Sequence, residues 1–179
     1  MNSEYRFEKV EISQETDSIL SKCVFNNPYL QSSFQEVLKK YGYESFTFLI
    51  YKKNQLNAIV HIPLKSKDLI EDLVVYSGIH FVKPHLNQSQ VQIQSERFKV
   101  SSYVADLLSK QGRDFQFFTL PNLIDMRPWI WHDYPSYNIK YEVIPRYTGM
   151  INLPLSLSEE ELNALMLRKM SSSRRQEFR

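Results

Sequence analysis

The chain has 179 residues, of which 42% are hydrophobic and 23% are charged, a balance that favours a packed core and excludes a wholly disordered chain. The net charge of +2 gives no electrostatic reason to expect DNA as a partner. Cys23 is the sole cysteine, which excludes an internal disulfide, and no apolar run approaches the ~20 residues that cross a bilayer. We therefore expect a cytoplasmic protein.

The first part of the chain predicts a strand followed by two helices. The segment YRFEKVEI alternates apolar and polar residues with one slip, which is typical of a strand. SQETDSILSKCVF then has apolar residues at helical spacing, with Ser13 in the N-cap position. SSFQEVLKKYG predicts a second short helix, and Gly42 is well placed to end it.

The middle of the chain predicts a hairpin, a third strand, a helix and a further strand. ESFTFLIYKK and LNAIVHIPLK are rich in β-forming residues and meet near Asn54, as in a hairpin. DLIEDLVVYSGIHF predicts the third strand, bent at Gly78, and DFQFFTLP predicts the later one. Between them, SERFKVSSYVADLLSKQG predicts a helix that ends at Gly112. The residues expected to be buried on this helix are Phe98, Tyr103, Val104, Leu107 and Leu108.

The last part holds an aromatic segment, a strand and a helix. DMRPWIWHDYPSY concentrates aromatic and charged residues, and a long strand is predicted from about residue 137 to 153. A helix follows with Ser158 and Glu161 in capping-box spacing. Its apolar stripe ends at three serines and a basic run, and no residue there is typical of a helix C-terminal cap. We therefore expect the natural protein to continue beyond Arg179. The element order predicts an α/β fold of mixed α+β layers.

Three segments resemble the FemAB-like branch of the GNAT acyltransferase superfamily. They are DMRPWIWHDY, PRYTGMINL and SEEELNALMLRKMSSSRRQE, and they match an Asp-x-Arg-Pro aromatic linker, a strand with Arg-Tyr-Thr, and a helix ending in paired basic residues. NNPYLQSSFQEVLKKYGYE and FLIYKKNQLNAIVHIPL are similar to the family's opening helix and hairpin. The matching positions in the last third are Asp125, Arg127, Pro128, Trp131, Tyr134, Arg146, Tyr147, Thr148, Leu153, Arg174 and Arg175.

The resemblance implies a GNAT-like mixed, mostly antiparallel sheet flanked by helices. Residues 1–135 would form an N-terminal GNAT-like domain, and residues 136–179 would supply the first strand and helix of a second, truncated one. The full-length protein would be an N-acyltransferase that moves an acyl or aminoacyl group from acyl-CoA or aminoacyl-tRNA. The acceptor would be an amine on a small molecule, a sugar or a lipid-linked cell-envelope precursor. tRNA is expected as a partner only in the aminoacyl variant.

The chain departs from this family at the donor site. GNAT proteins bind the donor pyrophosphate with a [Q/R]-x-x-G-x-[G/A] loop at a helix N-terminus. Here the four glycines stand alone in the sequence. The resemblance therefore implies that the acyl-CoA site lies outside this chain, and that the chain by itself is inactive.

The aromatic linker supplies three of the candidate acceptor-binding residues. Trp129, Trp131 and Tyr134 would wall an acceptor cleft between two domains, where ligands often bind. Alternatively they pack the seam between domains, with Arg127 bonded to a carbonyl or to Asp125, because large aromatic residues are most often buried.

Two further candidates lie on the predicted strand from residue 137 to 153. Arg146 and Tyr147 would contact an anionic acceptor, since a guanidinium group suits anions. Alternatively they are half-exposed strand residues with no binding role. This strand also offers an open edge through which the chain would form a homodimer.

No catalytic residue can be assigned from spacing. Acyl transfer to an amine needs a base, an oxyanion donor and an acid, and tyrosines and carboxylates suit these tasks without a metal. The four histidines have no metal-ligand spacing, His132 beside Asp133 is a candidate base, and Cys23 is expected in the core. The alternative to an enzyme is a noncatalytic GNAT-like domain that binds carbohydrate or a protein partner.

Overall fold

The computed structural model describes residues 4–64, 77–111, 115–119, 125–134, 140–144 and 158–169. The helices and strands are β1 (Tyr5–Val10), α1 (Gln14–Leu20), a 3₁₀ turn (Pro28–Leu30), α2 (Ser32–Lys40), β2 (Glu44–Lys52), β3 (Gln55–Leu64), β4 (Gly78–Phe81), α3 (Gln90–Ser109), α4 (Arg127–Ile130) and α5 (Glu159–Lys169). The four strands form one antiparallel sheet in the order β1-β2-β3-β4. This confirms the predicted mixture of sheet and helices.

The central strands β2 and β3 contribute buried residues to both faces of the sheet, since successive strand residues point in opposite directions. On one face Ile50, Val60 and Ile79 pack with Val104 and Leu108 of α3. On the other face Leu49 and Ile59 pack with the apolar residues of α1 and α2. The short apolar runs at residues 48–51 of β2 and 58–60 of β3 fit this arrangement, since a strand covered on both faces needs no polar side.

The end of α2 is set by the predicted glycine. Gly42 has φ of 76°, a left-handed conformation that glycine adopts without a Cβ clash. Its N–H donates to the Lys39 carbonyl at 3.0 Å, and the Tyr43 N–H donates to the Leu38 carbonyl at 3.1 Å. These two bonds form a Schellman motif, so the predicted C-terminal cap is confirmed.

The predicted hairpin is confirmed, and it contains a β-bulge. Ile50 pairs with Ala58 and Tyr51 pairs with Leu56, so Asn57 is the extra residue on β3. The Asn57 side chain points to α3, where its amide donates to Glu96 at 2.9 Å. The bulge therefore aims a polar side chain at the helix that covers this face.

Helix α3 is confirmed, but part of its predicted buried face is wrong. Val104 and Leu108 are buried as expected, together with Val100, Ser101 and Ala105. These residues recur at intervals of three and four, which turns one stripe of the helix to the sheet. The predicted core residues Phe98, Tyr103 and Leu107 flank this stripe and are only half-buried.

Two predicted strands are not found in the residues that the structure describes. Residues 115–119 of DFQFFTLP and residues 140–144 form no strand. Both segments are held by side chains instead: Phe117 and Tyr141 pack on the Trp129 ring, and the Tyr141 hydroxyl donates to the Ala105 carbonyl. The remainder of the strand predicted to residue 153 lies outside the described residues.

The chain divides into two compact units, Met1–Val143 and Ile144–Arg179. In the second unit the predicted helix α5 is confirmed, and the Ser158 N–H donates to the Glu161 carboxylate at 2.8 Å, as a capping box requires. That either unit is GNAT-like, and that a domain boundary lies at residues 135–136, stay predictions. Within the described residues, no helix is long and apolar enough to cross a membrane.

Candidate functional site

An open groove lies between the N-terminal half of α3 and the segment that begins at Asp125. Its volume is about 580 Å³, which is within the range of small-ligand sites. The lining residues comprise two amide side chains, a hydroxyl, two apolar side chains and a charged pair: Gln90, Val91, Gln94, Ser95, Phe98, Asp125 and Arg127.

One side of this groove is a face of α3, whose residues are placed by the helical repeat and by the capping box at the first turn. Residues 90, 94 and 98 recur every four positions, so they lie above one another on one helix face. Ser89 caps the helix: its hydroxyl accepts from the Gln92 N–H at 3.3 Å, and the Ser89 N–H donates to Gln92 Oε1 at 2.8 Å. The capping box fixes where the helix begins, and with it the place of the groove residues.

The opposite side of the groove is an ion pair between neighbours in sequence. The Arg127 Nε and Nη2 donate to the two Asp125 carboxylate oxygens at 2.9 and 2.6 Å, and the Arg127 backbone N–H donates to Oδ1 at 3.2 Å. The hydrogen bonds from Arg127 lower the pKa of Asp125, and the carboxylate in turn raises the pKa of Arg127. Both side chains are therefore fully charged at neutral pH.

Two aromatic rings flank this guanidinium group. The Arg127 Cζ lies 5.1 Å from the Phe98 ring centroid and 5.9 Å from the Trp131 ring centroid, within cation–π range. The Trp131 side chain is 59% exposed. The groove thus has an accessible indole beside its charged wall.

The structure separates the three aromatic candidates of the linker. Trp129 is 4% exposed and stacks edge-on against Phe117 and Tyr141 at centroid distances of 5.4 and 5.2 Å, which favours the packing alternative for this ring. Trp131 does not line the groove itself, but its exposed ring lies beside the Arg127 guanidinium group that does, and Tyr134 is 79% exposed. The other two candidates, Arg146 and Tyr147, lie outside the described residues.

Sequence reasoning did not select the α3 residues of the groove. The sequence predicts Phe98 as buried core, whereas the structure leaves it half-buried in the wall of the groove. A signal was present: Gln90, Gln94 and Phe98 share one helix face that is offset from the Val100, Val104 and Leu108 stripe. The residues on the opposite side of the groove, Asp125 and Arg127, lie 27 or more positions further along the chain. No local sequence pattern predicts that they meet α3.

The remaining candidate groups for chemistry are poorly placed for proton transfer. Burial lowers the pKa of His61 to about 3, and the His61 Nδ1 lies 3.0 Å from the Thr47 hydroxyl, so this imidazole is neutral. The His132 Nδ1 stands 3.6 Å from the Asp133 carboxylate, beyond a hydrogen bond. Among the described residues, no group of three or more His, Cys, Asp or Glu is placed to hold a metal ion.

Cys23 is a core residue, as predicted. Its side chain is 1% exposed, and burial raises the pKa of the thiol to about 11. A protonated thiol inside the core is a poor nucleophile.

Compared with known proteins, the chain matches no protein-family model, no curated protein and no solved structure.

Proposed function

We propose that the groove binds the sugar part of an amine acceptor, and that the chain is the acceptor-binding portion of a FemAB-like N-acyltransferase. The observation that carries this proposal is the exposed Trp131 ring beside the Asp125–Arg127 pair, at a groove lined by amide side chains. The sugar would be an amino sugar, free or within a cell-envelope precursor.

The composition of the groove suits a carbohydrate better than an apolar ligand. Sugar rings present a weakly apolar C–H face and a rim of hydroxyls. An exposed indole offers a flat surface for the first, while amides and carboxylates offer paired donors and acceptors for the second. Gln90, Gln94 and Ser95 supply donors and acceptors along α3, and Asp125 keeps lone pairs beyond those that Arg127 occupies.

The acyl-transfer part of the proposal rests on the family resemblance. Its Asp-x-Arg-Pro motif is the segment that forms one wall of the groove, and a mostly antiparallel sheet flanked by helices is compatible with that family. In the reaction the acceptor nitrogen attacks the donor carbonyl and forms an amide. The CoA thiol, or the tRNA hydroxyl in the aminoacyl variant, leaves with a proton.

The second candidate is a noncatalytic domain that binds carbohydrate or a protein partner. It is favoured by the charge state of the groove, because Asp125 is held ionised and Arg127 protonated. A general base works best when its pKa is near the working pH, and neither Asp125 nor Arg127 meets that condition. Under the first candidate, proton transfer would fall to residues outside the groove.

Titration with glucosamine and N-acetylglucosamine tests the binding step. The chain has two tryptophans, and Trp131 is the exposed one, so the fluorescence change on binding should disappear in Trp131→Phe. Calorimetry should show affinity reduced about tenfold or more in Trp131→Ala and Arg127→Ala. Ile130→Ala is the matched control, because Ile130 is 58% exposed and does not line the groove.

Thiol release from acetyl-CoA with glucosamine as acceptor then separates the two candidates. Sugar binding with thiol release by the full-length protein supports the acyltransferase. Sugar binding without thiol release from any acyl-CoA, and without transfer from aminoacyl-tRNA, supports the noncatalytic domain. Absence of sugar binding at millimolar concentrations, or equal binding by Trp131→Ala, refutes the proposed groove.

A further inference from the structure

The chain segment that follows α1 runs beside strand β4. The Val24 N–H donates to the Phe81 carbonyl at 2.8 Å, and the Lys83 N–H donates to the Lys22 carbonyl at 2.9 Å. The residues between these two bonds form an antiparallel bridge. Lys22 therefore stands opposite Lys83, and Val24 stands opposite Phe81.

The bridge sets the direction of the side chains around it. The two bridged residues pack in the core beneath α1 and α2. Because neighbouring residues of an extended segment point to opposite faces, Val24 and Lys83 turn to the other face, which α3 covers. Phe81 agrees with this direction, since it packs in the core on the α3 side.

Arg97 of α3 adds a third cation beside the two lysines. Its Cζ lies 5.2 Å from the Phe81 ring centroid, within cation–π range. Lys83 lies two positions beyond Phe81, about 7 Å further along the chain. Arg97 is half-buried, but an arginine side chain keeps its proton in a protein. Lys22, Lys83 and Arg97 thus carry three positive charges.

Within the described residues, no carboxylate pairs with any of these three cations. The Lys83 ammonium donates to the Ser21 carbonyl at 3.4 Å. The side chains of Lys22 and Arg97 make no hydrogen bond or ion pair with that part of the chain. Their charge is therefore available to an anionic partner.

The sequence accounts for the missing carboxylates. Residues 18–35 and 77–95 contain no Asp or Glu. The next acidic residue, Glu96 of α3, accepts from the Lys52 ammonium at 2.8 Å. The whole chain has 20 Asp and Glu, so their absence from both of these segments makes the surface locally positive.

Exposed aliphatic side chains accompany the positive charge. Val24 is 40% exposed, and Leu86, three residues after Lys83, is fully exposed. Cations mixed with exposed aliphatic groups suit an anionic lipid surface, because the cations face phosphates while the aliphatic groups enter the boundary of the acyl chains. Nucleic acid offers phosphates but no apolar layer, so it would leave Leu86 in water.

We infer that the chain binds the surface of an anionic membrane through a basic rim formed by Lys22, Val24, Lys83, Leu86 and Arg97. The cations attract the phosphates of the lipid headgroups, and Leu86 and Val24 enter the headgroup layer. None of the five residues lines the groove at Arg127, so this binding is independent of the proposed sugar site.

Co-sedimentation with lipid vesicles tests the inference. The chain should bind vesicles in which about a third of the lipid is phosphatidylglycerol, and should bind pure phosphatidylcholine at least about tenfold more weakly. Binding should weaken as salt is added, because exposed charges are screened. Lys22→Gln combined with Lys83→Gln should lower the partition coefficient about 25-fold, at about fivefold for each lysine. Leu86→Ser should lower it about fivefold or more.

Matched controls lie on α2, which covers the opposite face of the sheet. Lys39→Gln combined with Lys40→Gln removes the same net charge from exposed positions. Val37→Ser removes an exposed aliphatic side chain, since Val37 is 47% exposed. Both controls should bind as the unmodified chain does, and circular dichroism of every variant checks that the fold is kept.

Three results overturn the inference. The first is that phosphatidylglycerol vesicles do not bind the chain at low salt. The second is that the α2 control pair weakens binding as much as the Lys22 and Lys83 pair, which indicates a nonspecific charge effect. The third is that Leu86→Ser binds as tightly as the unmodified chain and duplex DNA displaces the vesicles, which assigns the surface to a polyanion instead of a membrane.

Discussion

Glu96 of α3 forms hydrogen bonds to residues of the sheet, and its substitution tests how much these bonds stabilise the unit Met1–Val143. Its carboxylate accepts from the Tyr5 hydroxyl at 2.8 Å, from the Lys52 ammonium at 2.8 Å and from the Asn57 amide at 2.9 Å. The donors come from three strand positions that lie far from α3 in sequence. Glu96→Ala deprives all three of their acceptor at once.

The expected loss can be worked from these bonds. A hydrogen bond to a charged group contributes about 1.5–3 kcal/mol when water is excluded. The Glu96 and Lys52 side chains are 23% and 27% exposed, so water replaces part of each bond, and about 1 kcal/mol apiece is a fair value. Glu96→Ala should lower the free energy of unfolding by about 3 kcal/mol. Tm should fall by about 9 °C, at about 3 °C per kcal/mol for a protein of this size.

The pH dependence has a defined sign. Burial by itself would raise the pKa of Glu96, but the hydrogen bonds from Lys52 and Tyr5 outweigh it and hold the pKa below its ordinary value. A carboxyl whose pKa is depressed on folding stabilises the fold above its unfolded pKa of about 4.3, and this contribution is lost as pH falls through the folded pKa. Glu96→Gln removes the charge but keeps one acceptor oxygen, so we expect a loss of about 1.5 kcal/mol at neutral pH, shrinking in acid.

Urea unfolding curves at several pH values measure these differences. Asp106→Ala is the matched control on the same helix, because Asp106 bonds Lys110 in an exposed pair that is worth about 0.5 kcal/mol or less. A Glu96→Ala loss no larger than that of the control would refute the reasoning. So would a Glu96→Gln difference that stays constant down to strongly acid pH.

Further predictions concern the aromatic linker, two glycines and the cysteine. Trp129→Ala should cost about 3–5 kcal/mol of unfolding free energy because the ring is buried, whereas Trp131→Ala should cost about 1 kcal/mol or less; equal losses in urea would contradict the assigned burial. Gly78→Ala should cost about 2 kcal/mol or more and Gly42→Ala about 1 kcal/mol. Both residues have positive φ, but only at Gly78 would an added Cβ meet a ring carbon, that of Phe117 at 2.8 Å. A larger fall in Tm for Gly42→Ala than for Gly78→Ala would contradict this. Cys23 should react with a thiol reagent at about pH 8 only as the protein unfolds, and rapid labelling of the native protein would contradict its burial.

The elements that the sequence predicted correctly are those specified by neighbours along the chain. The hairpin turn near Asn54 and the caps at Gly42 and Ser158 each depend on residues within a few positions. The bonds that define these features form inside one turn or between adjacent strands. Local sequence therefore carries enough information to predict them.

The strand predictions failed where a partner strand was needed. Residues 115–119 have the apolar composition of a strand, but Phe117 packs edge-on against Trp129 instead of entering a ladder among the described residues. β-propensity describes how well a residue fits a half-buried surface. It does not supply the neighbouring strand.

The sequence by itself determined the mixed helix–sheet composition, the order of the elements from β1 to α3 and the turns between them, because these follow from short-range spacing and capping. Only the tertiary structure decided that Trp129 enters the core while Trp131 stays exposed beside Arg127, and that Phe98 lines the groove. It also decided that Glu96 meets Tyr5, Lys52 and Asn57 across the sheet. Burial and long-range bonding depend on which surfaces meet in space, and residues of the same type at neighbouring positions in the sequence can meet quite different surroundings.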